Sequence, residues 1–298
     1  MSGRHRSRKQ TLASVAAVAV GYTLIRYGVW HLTRRRRKRD GRLGRLESRW
    51  TVVGGLRIHS RASDNIVPPD RPAVVLIHGL GVSSRYMMPI AEHLAPDFQV
   101  FAPDLPGFGL SDKPSHILTI RELADALAIW MESLAITRAA FVGNSLGNEI
   151  IVELALRRPE KVISLVLQGP TPEPAARNAP QQIWRYIATS PFEQPPLGWI
   201  SATDYMLCGI RRFARTFHYM LQDRIEEKLP KVQAPTLVVR GERDRIVSQR
   251  WAEEVARLLP NARLVVIPGA AHAINFSYPA AFRSVLVPFL CSKPPARL

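Results

Sequence analysis

Ala139-Ala140-Phe141-Val142-Gly143-Asn144-Ser145-Leu146-Gly147-Asn148-Glu149-Ile150 decides the architecture of this chain. Its first four residues read as a buried strand, and the residues after Gly147 read as a helix to about Arg158. Between the two, Gly143-Asn144-Ser145-Leu146-Gly147 matches G-x-S-x-G, the signature of a sharp strand-to-helix turn. Glycines on both sides relieve crowding, so the serine can take a strained backbone and present its hydroxyl above a sheet. Five matching residues are a moderate signal, and the strand–turn–helix setting makes it a strong one.

Working outward, strands and helices alternate. Residues 50–60 predict two short strands around the Gly54-Gly55 turn, and Ala73–Ile77 and Val100–Ala102 predict further strands. Ser83–Leu94 and Thr119–Leu134 have helical spacing, the second with Ile120, Leu123, Ala124, Leu127 and Trp130 on one face. Val162–Leu167, Thr236–Val239 and Leu264–Ile267 complete the apolar strands. This order predicts an α/β fold: a mostly parallel sheet with helices on both faces, binding its ligand at the carboxyl ends of the strands. Residues 170–233 break the rhythm with eight prolines and scattered aromatics. So long a stretch predicts a helical cap inserted over the site. Most of its aromatics are expected to pack its own interior, and a few to face a pocket.

A serine hydroxyl needs a base and a group that orients the base. Behind a turn of this kind the partners come in the order acid, then histidine. Asp244 stands after the strand Thr236–Val239 and His272 after Leu264–Ile267, both at strand ends. Glu242 is the rival acid, and a helix cap before Ser248–Leu259 is the bland role for Asp244. His116 and His218 are expected at the surface, and His59 and His93 belong to no motif. His78-Gly79-Leu80-Gly81 comes directly after the strand Ala73–Ile77. The backbone N–H groups of Leu80 and Leu146 are therefore expected to form a two-donor oxyanion hole. His78 itself reads as a structural hydrogen-bonding residue.

From about Trp50 to Leu290 the chain resembles the α/β-hydrolase superfamily, in its serine-nucleophile, esterase-like branch with a helical cap. The resemblance is carried by HGLG at 78–81, Asp104-Leu105-Pro106-Gly107-Phe108-Gly109-Leu110-Ser111-Asp112, GNSLG at 143–147, Asp244 and His272. It implies a core of residues 50–169 and 234–298 with a cap at 170–233, and it makes Asp104–Ser111 a structural turn at the pocket rim. Family members that open epoxides or carbon–halogen bonds use aspartate where this chain has Ser145. Carbon–carbon hydrolases of ring-cleavage products commonly carry tryptophan after the catalytic histidine, whereas this chain has Ala273-Ile274-Asn275-Phe276 there. The expectation is a hydrolase of hydrophobic carboxylic esters working through an acyl-enzyme on Ser145, with no metal or organic cofactor. Carbon–carbon hydrolysis, haloperoxidase-like chemistry, acyl transfer and non-catalytic binding of an apolar ligand are the other readings, and oligomeric state stays open.

Two cysteines, Cys208 and Cys291, exclude a disulfide framework and a four-cysteine zinc site. The formal charge of +17 suggests nucleic acid, but 14 of the 41 Lys and Arg and only two of the 24 Asp and Glu fall in residues 1–49. The basicity therefore belongs to a leader, no groove-reading motif accompanies it, and a nucleic-acid partner is not expected. A helix over Thr11–Leu32 would be about 33 Å long, enough for a hydrocarbon core of about 30 Å. Residues 11–32 are thus expected to anchor the protein to a membrane. The basic run from Arg34 to Arg39 would hold anionic lipid and favour a cytoplasmic body. An organelle-targeting presequence, or an exported chain cleaved near Ala17-Val18-Ala19, is the alternative.

Overall fold

The structure is a computed structural model that describes residues 42–64, 67–68 and 70–292. The expected anchor at residues 11–32 and the basic run after it lie outside the described residues. Among the described residues no helix is long and apolar enough to cross a membrane.

Among the described residues nine strands form one sheet, ordered β1-β2-β3-β5-β4-β6-β7-β8-β9. β1 (Arg42–Leu43), β2 (Leu46–Val53) and β3 (Leu56–Ser63) are antiparallel, and β3 also runs antiparallel to β5 (Val100–Pro103). From β5 onward, β4 (Ala73–Ile77), β6 (Ala139–Asn144), β7 (Val162–Gln168), β8 (Thr236–Gly241) and β9 (Ala262–Ile267) pair in parallel. The first hairpin is longer than the glycine pattern suggests. β2 pairs with β3 from Leu46↔Ser63 to Val53↔Leu56, and Leu46 is fully buried. Among the described residues the sheet therefore reaches back to Arg42, ahead of the start expected at residue 50.

The period-two pattern of the central strands divides the interior. Val75 and Ile77 of β4 join Phe141, Leu165 and Leu167 on one face, against α2 (Ile120–Ser133) and α3 (Leu146–Arg157). Val74 and Leu76 join Val142, Val166 and Val239 on the other, against α1 (Ser84–Leu94). A capping box between Thr119 and Glu122 starts α2. Covering both faces leaves the carboxyl ends of the parallel strands as the place where loops can assemble a site.

Between β7 and β8 the chain forms helices α4 (Ala179–Thr189), α5 (Pro195–Cys208), α6 (Ile210–Gln222) and the short α7 (Ile225–Lys228). Prolines stand in the first turns of α4 and α5, where their missing N–H costs no hydrogen bond. The aromatics of this segment depart from expectation. Trp184 and Trp199 are 67% and 70% exposed, and Tyr186, Tyr205, Phe213 and Phe217 line a cavity. Four helices of modest length have too little mutual interface to enclose so many large rings.

Candidate active site

Ser145 joins β6 to α3 with φ 53° and ψ −120°, a backbone that side chains rarely adopt. Both flanking glycines are required by contact. A Cβ on Gly143 would stand 2.8 Å from Asn148 Oδ1, and one on Gly147 would collide with the Ile77 carbonyl. The Ser145 N–H donates to the Gln168 carbonyl (3.1 Å), which ties the turn to the end of β7.

The loop after β8 places Asp244, fully buried, with two duties. Its Oδ1 accepts the N–H groups of Ile246 (2.8 Å) and Val247 (3.0 Å), while Oδ2 accepts from His272 Nδ1 at 2.8 Å. Arg240 fixes the same loop, donating to the carbonyls of Asp244 (2.7 Å) and Val247 (2.8 Å). Glu242 is elsewhere engaged, accepting the Gly269 N–H at 2.7 Å. The structure thus brings Asp244, and not Glu242, to the imidazole. Burial pushes His272 down, but the Asp244 carboxylate outweighs it and leaves the imidazole above its ordinary value.

With Nδ1 donating to Asp244, Nε2 is left as the acceptor, and it has no hydrogen-bond partner among the described residues. The Ser145 hydroxyl does not fill that role here. It exchanges a hydrogen bond with Thr171 Oγ1 at 3.2 Å. Serine and histidine nevertheless line one cavity of about 530 Å³. The cavity also takes in Leu80, and the N–H groups of Leu80 and Leu146 donate to no acceptor among the described residues. Leu146 opens α3, where a helix has N–H groups to spare and a positive dipole end.

The remaining candidates separate from this site. His78 is buried, its Nδ1 donating to the Gly79 carbonyl (2.9 Å) and its Nε2 accepting the Leu105 N–H (3.1 Å). Asp104 is buried against His59 at 2.8 Å and accepts the N–H groups of Ser84 and Leu110. Burial raises that carboxyl, but His59, the Leu110 N–H and nearby His78 outweigh it and hold it well below the usual carboxylate range. His116 is exposed beside Glu122, and His218 is exposed. No group of three or more His, Cys, Asp or Glu side chains among the described residues could hold a metal ion.

Several residues of the site have no motif. A Cβ on Gly169, whose φ is +55°, would stand 2.7 Å from His272 Cε1, so only glycine fits behind the imidazole. Gln168 donates to the His272 carbonyl (2.9 Å) and to Asn275 Oδ1 (2.8 Å). Thr171, Tyr86 and Glu193 also line the cavity. The available signal was position: Gln168-Gly169 ends a parallel strand, as the other site residues do.

A model of a family described as "Alpha/beta hydrolase family" matches residues 74–285. A putative carbamate hydrolase, RutD, from Pseudomonas savastanoi pv. phaseolicola (strain 1448A / Race 6) is 32% identical over 248 residues, 74% of this chain and 94% of that protein. A pimeloyl-[acyl-carrier protein] methyl ester esterase from Vibrio atlanticus (strain LGP32) is 28% identical over 256 residues, 73% of this chain and 94% of its own. Among solved structures, a membrane phospholipase A described as a bacterial virulence factor aligns with a TM-score of 0.73 at 24% identity. That alignment covers 95% of this chain and 98% of the other, a likeness of fold.

Proposed function

This chain belongs to the alpha/beta hydrolase family, and from that premise we propose that it hydrolyses carboxylic esters of apolar acyl chains through an acyl-enzyme on Ser145. One observation carries the reading. Among the described residues, the cavity that holds Ser145 and His272 has no Lys or Arg in its lining, and Leu80, Ile183, Ile210, Phe213, Phe217 and Met220 make much of it apolar. A volume of about 530 Å³ suits a long neutral chain. A ring-cleavage product carries a carboxylate, which such a lining would strand without a cation. A carbamate is small and polar, and would leave most of the cavity unfilled. The helices between β7 and β8 act in this reading as a cap that supplies the acyl-binding wall.

In the reaction, the Ser145 hydroxyl leaves Thr171 and turns to the free Nε2 of His272. His272 takes the proton as Oγ bonds the acyl carbon, and Asp244 stabilises the imidazolium. The carbonyl oxygen gains negative charge and accepts from the N–H groups of Leu80 and Leu146. As the acyl–oxygen bond breaks, Nε2 returns the proton to the departing alcohol. Water then attacks the acyl-enzyme by the same route, releasing the acid and restoring Ser145. Residues 11–32 would bring this site to a membrane, where apolar acyl chains are concentrated.

The test is a series of p-nitrophenyl esters of increasing acyl length, with a small carbamate beside it and a fluorophosphonate label. Labelling and a medium- or long-chain optimum, both lost in Ser145→Ala, are expected. Labelling with turnover of the carbamate alone would replace the ester reading. Neither labelling nor turnover in folded protein would leave a binding role.

A further inference from the structure

The His272–Ala273 peptide is held from two opposite sides. Its carbonyl accepts from Gln168 Nε2 at 2.9 Å, and its N–H donates to Glu193 Oε1 at 2.7 Å. Gln168 ends strand β7, whereas Glu193 lies between helices α4 and α5, 80 residues away in sequence from Ala273. The second oxygen of Glu193 accepts from Ser277 Oγ at 2.9 Å, and Gln194 donates to the Ser277 carbonyl at 2.9 Å. Two consecutive residues of the helical segment thus grip the loop that carries the base. Glu193 also lines the cavity and is the only carboxylate among its described lining residues.

We propose that Glu193 is a positioning residue for His272: it locks the plane of the peptide after the histidine and places a second negative charge beside the imidazole. The proposal rests on the reading of His272 as the base. A peptide plane fixed at both its oxygen and its N–H cannot rotate without breaking a hydrogen bond, so the imidazole ring inherits that orientation. Because one of the two holds comes from the helical segment, movement of that segment away from the sheet removes it and leaves the peptide held by Gln168 alone. The base is then best placed while the segment is seated.

The charges facing His272 come from several elements. Asp244 reaches it from the β8 loop and Glu193 from the α4–α5 connection, and the buried Tyr86 of α1 lies near both carboxylates. Arg240 donates to the Asp244 carbonyl, while Arg243 and Arg245 hold their guanidinium carbons 5.9 and 5.2 Å from the Phe192 ring centroid, next to Glu193. Within this set Glu193 favours the protonated imidazole, as Asp244 does.

The deciding experiment titrates His272 by NMR in the full chain with labelled histidine, using His272→Gln to assign the signal. In Glu193→Gln the acceptor for Ala273 survives and the charge is lost, so the His272 midpoint should move to lower pH. In Glu193→Ala the hold is lost too, and kcat for the best ester should fall about 10- to 100-fold with KM nearly unchanged, the range expected for a misplaced base. Glu193→Gln should restore most of that kcat. If Glu193→Ala does not fold, Ser277→Ala removes one partner of the grip and should lower kcat by a smaller factor. Wild-type midpoints in both Glu193 variants, or wild-type kcat in Glu193→Ala, would overturn the proposal. Should the wild type turn over no ester, the functional reading fails, and the His272 midpoint in Glu193→Gln alone decides this one.

Discussion

Ser145 stores backbone strain that its own hydroxyl does little to relieve, since the side chain bonds only Thr171 among the described residues. A positive φ in a non-glycine residue costs on the order of 1–3 kcal/mol. Ser145→Gly should therefore melt higher than the wild type, by about 1 kcal/mol of added stability once the greater freedom of unfolded glycine is allowed for. It should also lose ester turnover completely. Calorimetry beside the ester assay separates strain kept for function from strain kept for the fold. His272 gives the second prediction at this scale. In the proposed mechanism its neutral form is the base, and Asp244 holds it above the ordinary histidine value, so activity should fall as pH drops through that raised value. Asp244→Asn removes the main raising influence. The acid limb of kcat/KM should move to lower pH while kcat drops by about 10⁴-fold, as the imidazole loses its tautomer and its counter-charge. Gly169→Ala is subtler: the new methyl meets His272 Cε1 and must take φ +55°. It should lower kcat by roughly tenfold or more with little change in KM, read in steady-state kinetics.

A buried carboxylate ties helix α1 to helix α5 beside their apolar contacts. Ser83, the N-cap of α1, donates to Asp204 Oδ2 at 2.6 Å, and Arg85 donates to Oδ1 at 3.0 Å. Burial pushes Asp204 up to about 6, only partly offset by Arg85 and Ser83. A raised carboxyl means the native state holds its proton more tightly than the unfolded chain. Its contribution to stability is then complete below about 3.8 and lost as pH rises through about 6, a change of about 3 kcal/mol. Asp204→Asn should flatten the stability profile between about pH 4 and 7, measured by urea unfolding at closely spaced pH values. This latch was not legible from sequence, because Ser83 and Asp204 are 121 positions apart and neither belongs to a motif. The same holds for His59, whose partner Asp104 is met only because β3 pairs with β5. The parallel strands and the helices from Ser83 to Arg158 were legible, since each carries its own apolar period and α2 its own cap. Serine, acid and histidine were legible for the same local reason, each standing at the end of such a strand. Gly169 and Glu193 were not, because what defines them is contact with His272.

At the scale of the molecule, the start of the folded unit decides which piece can be studied alone. A cut before Trp50, where the glycine turn suggests the body begins, removes β1 and the first half of β2. With it go Leu46, fully buried among Leu94 and its neighbours, and the Arg45 N–H bonds to Glu92 at 3.1 and 3.2 Å. Leu46 alone contributes about 1.5–3 kcal/mol of buried apolar surface, and the Glu92 carboxylate of α1 loses its charge-assisted donor. Residues 42–298 should therefore melt close to the full chain, while residues 50–298 should melt several degrees lower and bind more of a dye for exposed apolar surface. The site itself lies at the far ends of the strands, so ester turnover at low temperature should be nearly equal in the two pieces. Equal melting would mean that β1 and the start of β2 add nothing to the sheet. The pair of truncations also isolates residues 1–41. If these carry the protein to a membrane, the full chain should float with anionic lipid vesicles and residues 42–298 should not, although both hydrolyse a soluble ester at the same rate. Flotation of residues 42–298 as well would shift lipid contact to the folded body, where Trp184 of α4 and Trp199 of α5 are the most exposed large rings.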